Sequence, residues 1–236
     1  MKLEARGVGK YYLGKRAGIG CFYAVRGADL CILPGRVTAL MGRSGSGKTT
    51  LMQMMAGLLK PDAGTVLLDE RNLSSCSDEE LCALRRHHFG VVPQGADLLP
   101  QLTVMENLLL PLAMEGRGEE EIFFQRARNL LDRLGIADLE HVFAKDLSGG
   151  ERRRVCIIRS LLPSPDFILA DEPTSDLDEG NVRLILHLFK EAALEGKGVL
   201  VISHDQEVLS ICDDLYCMDG GILTRQEGKS LTNSSS

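Results

Sequence analysis

No apolar run in this sequence approaches the ~18–20 residues that a helix needs to cross a bilayer. The first residues, Met1-Lys2-Leu3-Glu4-Ala5-Arg6, lack the apolar core of a secretory signal. The seven cysteines contain no CxxC pair and no metal-ligand spacing. Several of them, such as Cys31, Cys156 and Cys212, sit in apolar segments and read as small core residues. That usage suits a reducing compartment. A basic excess is also missing: the net charge is −6, which argues against a sequence-independent nucleic-acid binder. No internal repeat is visible. Together these absences predict a cytosolic protein whose membrane role, if any, comes through a partner.

What is present is ordinary globular material. Charged residues make up 25% and hydrophobic ones 44% of 236 positions, enough for one large domain with room for a subdomain. One stretch stands out: Gly42-Arg43-Ser44-Gly45-Ser46-Gly47-Lys48-Thr49. It follows the apolar run Val37-Thr38-Ala39-Leu40-Met41, which reads as a buried strand. It precedes Thr50 to Leu59, which reads as a helix. Strand, glycine-rich turn and helix are the setting of a phosphate-binding loop. The glycines let several backbone N–H groups face one point, and the helix start adds its own N–H groups and dipole. Lys48 is placed to reach the β- and γ-phosphates of a nucleotide, and Thr49 to offer a hydroxyl to Mg²⁺. Thr50 continues the same site.

Along the chain, Leu3 to Val8 reads as a first strand, Leu13 to Gly20 as a loop and Ala28 to Leu33 as a second strand. Pro34-Gly35 is a turn signal. Lys60 to Gly64 breaks the chain before a strand at Thr65 to Leu68. Ser77 and Glu80 form a capping box for a helix carrying Leu81 and Leu84, and Phe89 to Val92 is a short strand ending at Pro93-Gln94. From Leu98 to about Leu162 the pattern is mostly helical. It includes a capping box at Thr103 and Glu106, and an amphipathic helix from Glu119 to Leu134 closed by Gly135. Strand–helix alternation then resumes. Phe167 to Ala170 and Val199 to Ile202 are continuous apolar runs, as in parallel strands covered on both faces. Asn181 to Leu194 is a helix between them. Tyr216 to Met218 and Gly221 to Leu223 suggest a closing hairpin, and Gln226 to Ser236 a frayed polar tail. The fold class is therefore α/β. A catalytic core spans 1–94 and 160–225, with a helical insertion over 95–159 and a tail over 226–236.

Two further groups carry chemistry. Asp171 and Glu172 end an apolar strand, where adjacent carboxylates need a reason. A Mg²⁺ ion supplies it for Asp171. Alternation along the strand turns Glu172 to the other side, which suits a base polarising an attacking water. Leu147-Ser148-Gly149-Gly150-Glu151 reads in two ways. Ser148 and Glu151 have the spacing of a routine capping box. The paired glycines Gly149 and Gly150 go beyond a cap and permit close approach to an anion. A second phosphate-recognising element in a chain with one phosphate loop suggests a site assembled from two copies. The following Arg152-Arg153-Arg154 reads as a solvated helix face.

With these motifs in order, the chain resembles an ATP-binding cassette (ABC) ATPase over nearly its whole length. The resemblance makes Gly42 to Thr49 the Walker A motif, Phe167 to Glu172 Walker B and Leu147 to Glu151 the signature. It makes Ser175-Asp176-Leu177-Asp178 the D-loop linking two sites of a dimer. Gln94 matches the Q-loop glutamine, touching Mg²⁺ and the reacting groups, and His204 matches the switch histidine. Tyr12, in competition with Tyr11, matches the aromatic that stacks on adenine. Glu151 stands where many members carry Gln. The implied fold is a P-loop NTPase (RecA-like) core with a mostly parallel sheet, an antiparallel N-terminal β part and a helical subdomain. The implied catalytic residues are Glu172, His204 and Gln94, and the implied metal residues are Thr49, Gln94 and Asp171. ATP and Mg²⁺ are the implied cofactors.

Leu98 to Asn107, followed by Leu110-Pro111-Leu112, resembles the branch serving lipoprotein release, macrolide export, peptide-antibiotic resistance and cell division. One cassette and no membrane segment imply a second ATPase chain, a homodimer in the simplest case, and a separate integral membrane permease at the inner face of the cell membrane. No nucleic acid is expected. The alternatives are a membrane signalling switch that moves no solute, or a soluble ATPase acting on nucleic acid or ribosomes.

Overall fold

The computed structural model describes residues 1–13, 21–116, 120–175 and 177–226. The chain begins with an antiparallel hairpin, β1 (Leu3–Leu13) and β2 (Cys21–Ile32). Then come β3 (Val37–Met41), α1 (Lys48–Met55), β4 (Ala63–Leu68) and the two-residue β5 (Arg71–Asn72). Next are α2 (Asp78–His88), β6 (Phe89–Val92), α3 (Val104–Ala113), α4 (Glu121–Arg133) and α5 (Gly149–Leu161). The chain closes with β7 (Phe167–Asp171), α6 (Glu179–Leu194), β8 (Gly198–Ile202), β9 (Asp214–Asp219) and β10 (Ile222–Gln226).

Two sheets result. One is antiparallel, in the order β2-β1-β4-β5. The other runs β10-β9-β3-β8-β7-β6; β9, β3, β8, β7 and β6 are parallel and only β10 is antiparallel. The parallel strands feed two cores by alternation. Ile168, Ala170, Val199 and Val201 pack with α3 to α6, while Phe167, Leu169, Leu200 and Ile202 pack with α1 and the antiparallel sheet. A sheet buried on both faces leaves its strand ends as the place where polar side chains can gather.

Several boundaries differ from the sequence expectation, each for a local reason. β1 runs on to Leu13 and β2 starts at Cys21, because irregular register around Gly7 and Gly27, both at positive φ, interrupts the period-two pattern. The aromatic pairs Tyr11–Tyr23 and Tyr12–Phe22 hold the outer half together. The rest of the expected loop, residues 14–20, lies outside the described residues. So do 227–236 of the expected tail, while Gln226 closes β10. The first helix starts at Lys48 and stops at Met55 rather than Leu59. Leu58 N–H reaches back to Gln53 O at 2.9 Å and Gly57 N–H to Met54 O at 3.1 Å, a Schellman closure. Gly135 closes α4 in the expected way, with Ile136 N–H on Leu131 O at 2.9 Å. The capping boxes at Ser77, Thr103 and Ser148 all form.

Candidate functional site

The loop 42–47 joins the end of β3 to the start of α1. Two glycines are dictated by its packing. A Cβ on Gly42 would meet Met218 O at 2.2 Å, and one on Gly47 would meet Ala24 O at 2.0 Å; both sit at positive φ. The loop is tied from the far side by Gly221 N–H donating to Ser46 O at 3.0 Å. Lys48 is buried, and its Nζ donates to Gly42 O at 2.7 Å and Arg43 O at 2.9 Å. No side chain caps α1, so its first N–H groups face the loop's concavity, where the helix dipole favours an anion.

Asp171, the last residue of β7, is 2% exposed and accepts a 2.5 Å hydrogen bond from Thr49 Oγ1. Burial pushes its carboxyl above the usual aspartate value. The Thr49 hydroxyl opposes that shift, the neighbouring Glu172 charge adds to it, and Lys48 and Arg153 pull it back. Glu172 departs from the expected alternation. β7 ends at Asp171, and Glu172 sits in the left-handed region at φ 47, so a turn and not the pleat aims its side chain. Its N–H donates to Ile202 O at 2.9 Å, and its carbonyl accepts from Ser175 Oγ at 3.0 Å. Its Oε2 lies 2.9 Å from His204 Nδ1, just past the end of β8.

These groups open onto one cleft of about 860 Å³. It is lined by the loop from Gly42 through Thr50, by Gln94, Asp171, Glu172 and His204, and by Tyr12 with Phe22 and Tyr23. Tyr11 is not among the lining residues, which favours Tyr12 of the two. Tyr12 and Phe22 stack at 5.7 Å between centroids. Phe22 escaped the sequence reading because the strand carrying it was not recognised. Ser148 and Gly149, by contrast, are exposed at the start of α5 and line no part of this cleft. Glu151 Oε2 accepts from Ser148 N–H at 2.7 Å, so the capping box is real whatever else the motif does. Of the expected D-loop, Asp176 lies outside the described residues, and Asp178 caps α6 through Asn181 N–H at 2.9 Å.

A further expectation is overturned. Arg153 is not on a solvated face: it is 7% exposed, and its guanidinium donates to Pro93 O, Gln94 O and Ser175 Oγ. Only the fold brings those acceptors to α5, so no sequence signal marked it.

A family profile described as ABC transporter matches residues 25–175. The chain belongs to the ABC transporter family. The cassette is 36% identical over 212 residues to the lipoprotein-releasing system ATP-binding protein LolD of Bacteroides fragilis, covering 89% of this chain and 98% of that protein. It is 38% identical over 207 residues to the macrolide export ATP-binding/permease protein MacB of Rhodopseudomonas palustris, covering 88% of this chain but only 32% of that protein. Among solved structures, the dimeric ATP-binding cassette MJ0796, in a post-hydrolysis state bound to ADP and Pi, is 32% identical. It superposes with a TM-score of 0.86 over 96% of this chain and all of its own. The cassette is thus an ATP-binding ATPase of this family with a P-loop NTPase fold.

Proposed function

We propose that this chain is an ATPase subunit that pairs with a second cassette chain on binding ATP and thereby drives a separate integral membrane permease. One observation carries the reading. The phosphate loop, Asp171, Glu172, Gln94 and His204 share a cleft, whereas Ser148 and Gly149 lie exposed elsewhere on the chain. A phosphate-recognising helix start displayed away from its own phosphate site serves a partner's site. A similar cassette has been solved as a dimer.

In this reading the backbone N–H groups of the loop and Lys48 hold the ATP phosphates, and Tyr12 stacks on the base. Thr49, Asp171 and Gln94 present a hydroxyl, a carboxylate and an amide oxygen, the hard donors that suit Mg²⁺ when phosphates complete the shell. Bound there, the ion would neutralise phosphate charge. Glu172 accepts a proton from the attacking water, and His204 holds the Glu172 carboxylate in place through Nδ1. Ser148, Gly149 and Gly150 face the partner's γ-phosphate across the dimer.

We further assign the residue ranges 1–94 and 160–225 to the catalytic core and 95–159 to a helical subdomain. The permease would grip the surface near Gln94 and that subdomain. No helix among the described residues is long and apolar enough to cross a membrane, so attachment at the inner membrane face would be through the permease. The relatives named for lipoprotein release and macrolide export support a permease of the export or motion-transmitting class.

Glu172→Gln tests the reading. It keeps side-chain size but removes the proton acceptor, an effect worth ~10²–10⁴ in rate. The variant should bind ATP and accumulate as a dimer, seen by size-exclusion chromatography with light scattering. Wild-type hydrolysis by this variant would overturn the assignment of Glu172.

A further inference from the structure

A single guanidinium on α5 bonds to two of the other segments on which the proposed chemistry depends. Arg153 lies one turn into α5, the helix capped by Ser148. It donates to Pro93 O at 2.7 Å and also to Gln94 O, gripping the backbone of the residue expected to face Mg²⁺. It donates to Ser175 Oγ at 3.2 Å, and that hydroxyl donates in turn to Glu172 O at 3.0 Å. Glu172 needs such support, because its left-handed backbone at φ 47 costs free energy unless surrounding bonds impose it. Gln94 is exposed at the end of β6, and its side chain is only as well placed as its backbone.

A buried cation is expensive unless its donors are used, and the five N–H groups of arginine form a rigid fork. Here that fork is spent on neutral oxygens at Pro93, Gln94 and Ser175 instead of facing solvent. A helix needing only solubility at this position would turn the charge outward, as the sequence alone suggests. The charge also lies close enough to Asp171 to favour its ionised form, a smaller influence than burial and the Thr49 hydroxyl.

Resting on the function proposed above, we propose that Arg153 is a positioning residue for hydrolysis. It locks Gln94 and Glu172 in register with each other and with the signature helix, and it takes no part in ATP affinity. None of the loop residues 42–50 is bonded to it. Misplacing a catalytic group by an ångström can cost ~10² in rate, so loss of the fork should act on turnover.

The test compares wild type with Arg153→Met, Arg153→Gln and Arg153→Lys. Arg153→Met should lower kcat by about tenfold to a hundredfold, with KM for ATP and the calorimetric ATP Kd within about twofold of wild type. Arg153→Gln, which can still donate to one or two of the oxygens, should recover part of the loss. Arg153→Lys, which keeps the charge without the fork, should recover no more than Arg153→Gln. Full recovery by lysine would overturn the positioning role in favour of charge alone. Wild-type kcat in Arg153→Met would overturn the proposal outright. A loss of kcat matched by equal losses in ATP affinity and melting temperature would reduce Arg153 to a structural residue. Backbone amide resonances of nucleotide-free Arg153→Gln give a readout that needs no ATPase. Shifts at Gly95, whose peptide carbonyl is Gln94 O, and at Ser175 support the bonds, and unmoved resonances refute them. Lys48→Ala serves as the control for the wider reading: if it hydrolyses ATP at the wild-type rate, the activity is not from this site, while the amide shifts still decide Arg153.

Discussion

Glu172 Oε2 and His204 Nδ1 are 2.9 Å apart, joining residues just past the ends of the neighbouring parallel strands β7 and β8. An ionised carboxylate only accepts, so with Glu172 ionised the proton of this contact is carried by Nδ1. Groups joined in this way act as a unit, and their losses do not add. His204→Gln should lower kcat by ~10²-fold with ATP affinity unchanged. The double variant with Glu172→Gln should be no slower than Glu172→Gln alone. Additive losses in the two single variants and the double would separate the residues functionally.

Lys48 is held by the loop's own carbonyls at Gly42 and Arg43, so in the proposed role it would meet the phosphates already oriented. Lys48→Ala should abolish saturable ATP binding in calorimetry or weaken it severely. Melting temperature should change little, because the loop is also held by its contacts with Ala24, Met218 and Gly221. Unchanged affinity would remove the phosphate loop from nucleotide binding.

Ser148 has two duties in this account, a helix cap and a contact to the partner's nucleotide, and they separate by mixing. A Ser148→Arg chain and a Lys48→Ala chain each spoil both sites of their own homodimer. Their heterodimer keeps one intact composite site. Mixed proteins should therefore regain ATPase activity that neither shows alone. If Ser148→Arg lowers only melting temperature and leaves activity per folded molecule intact, the residue is a cap and nothing more.

Glu151 makes the cap sensitive to acid. The Ser148 hydroxyl, then the Ser148 N–H, hold its carboxyl below the ordinary glutamate value. A carboxylate depressed in the folded state stabilises the protein above its unfolded pKa, and that contribution is lost as pH falls through the folded value. Wild type should melt above Glu151→Gln at neutral pH, by about 1 kcal/mol or less in stability for so accessible a group. The two melting curves should converge as the pH is lowered below the usual glutamate range. A gap that persists unchanged to low pH would mean the bond, not the charge, carries the effect.

Much of the cassette was legible in one dimension because its signals are local. Phosphate loop, capping boxes and the Gly135 stop each depend on neighbours within a few residues, where backbone geometry dictates residue type. Continuous apolar runs such as Phe167 to Ala170 determine that a strand is buried on both faces, and hence that polar residues at its end are exceptional. The long β1–β2 hairpin was less legible, since bulges at Gly7 and Gly27 break the alternation by which strands are recognised.

Residue types and spacings by themselves determined a nucleotide-binding α/β chain and the residues proposed for its phosphate site. The tertiary structure alone decided three things. It turned Glu172 by a left-handed backbone where alternation along a strand would have pointed it otherwise. It set Ser148 and Gly149 outside the cleft that holds Lys48 and Asp171. It buried Arg153 against carbonyls contributed by residues about sixty positions away. The reason is common to all three. Orientation, separation and desolvation arise when distant segments pack, and no residue's type encodes which distant neighbours it will meet.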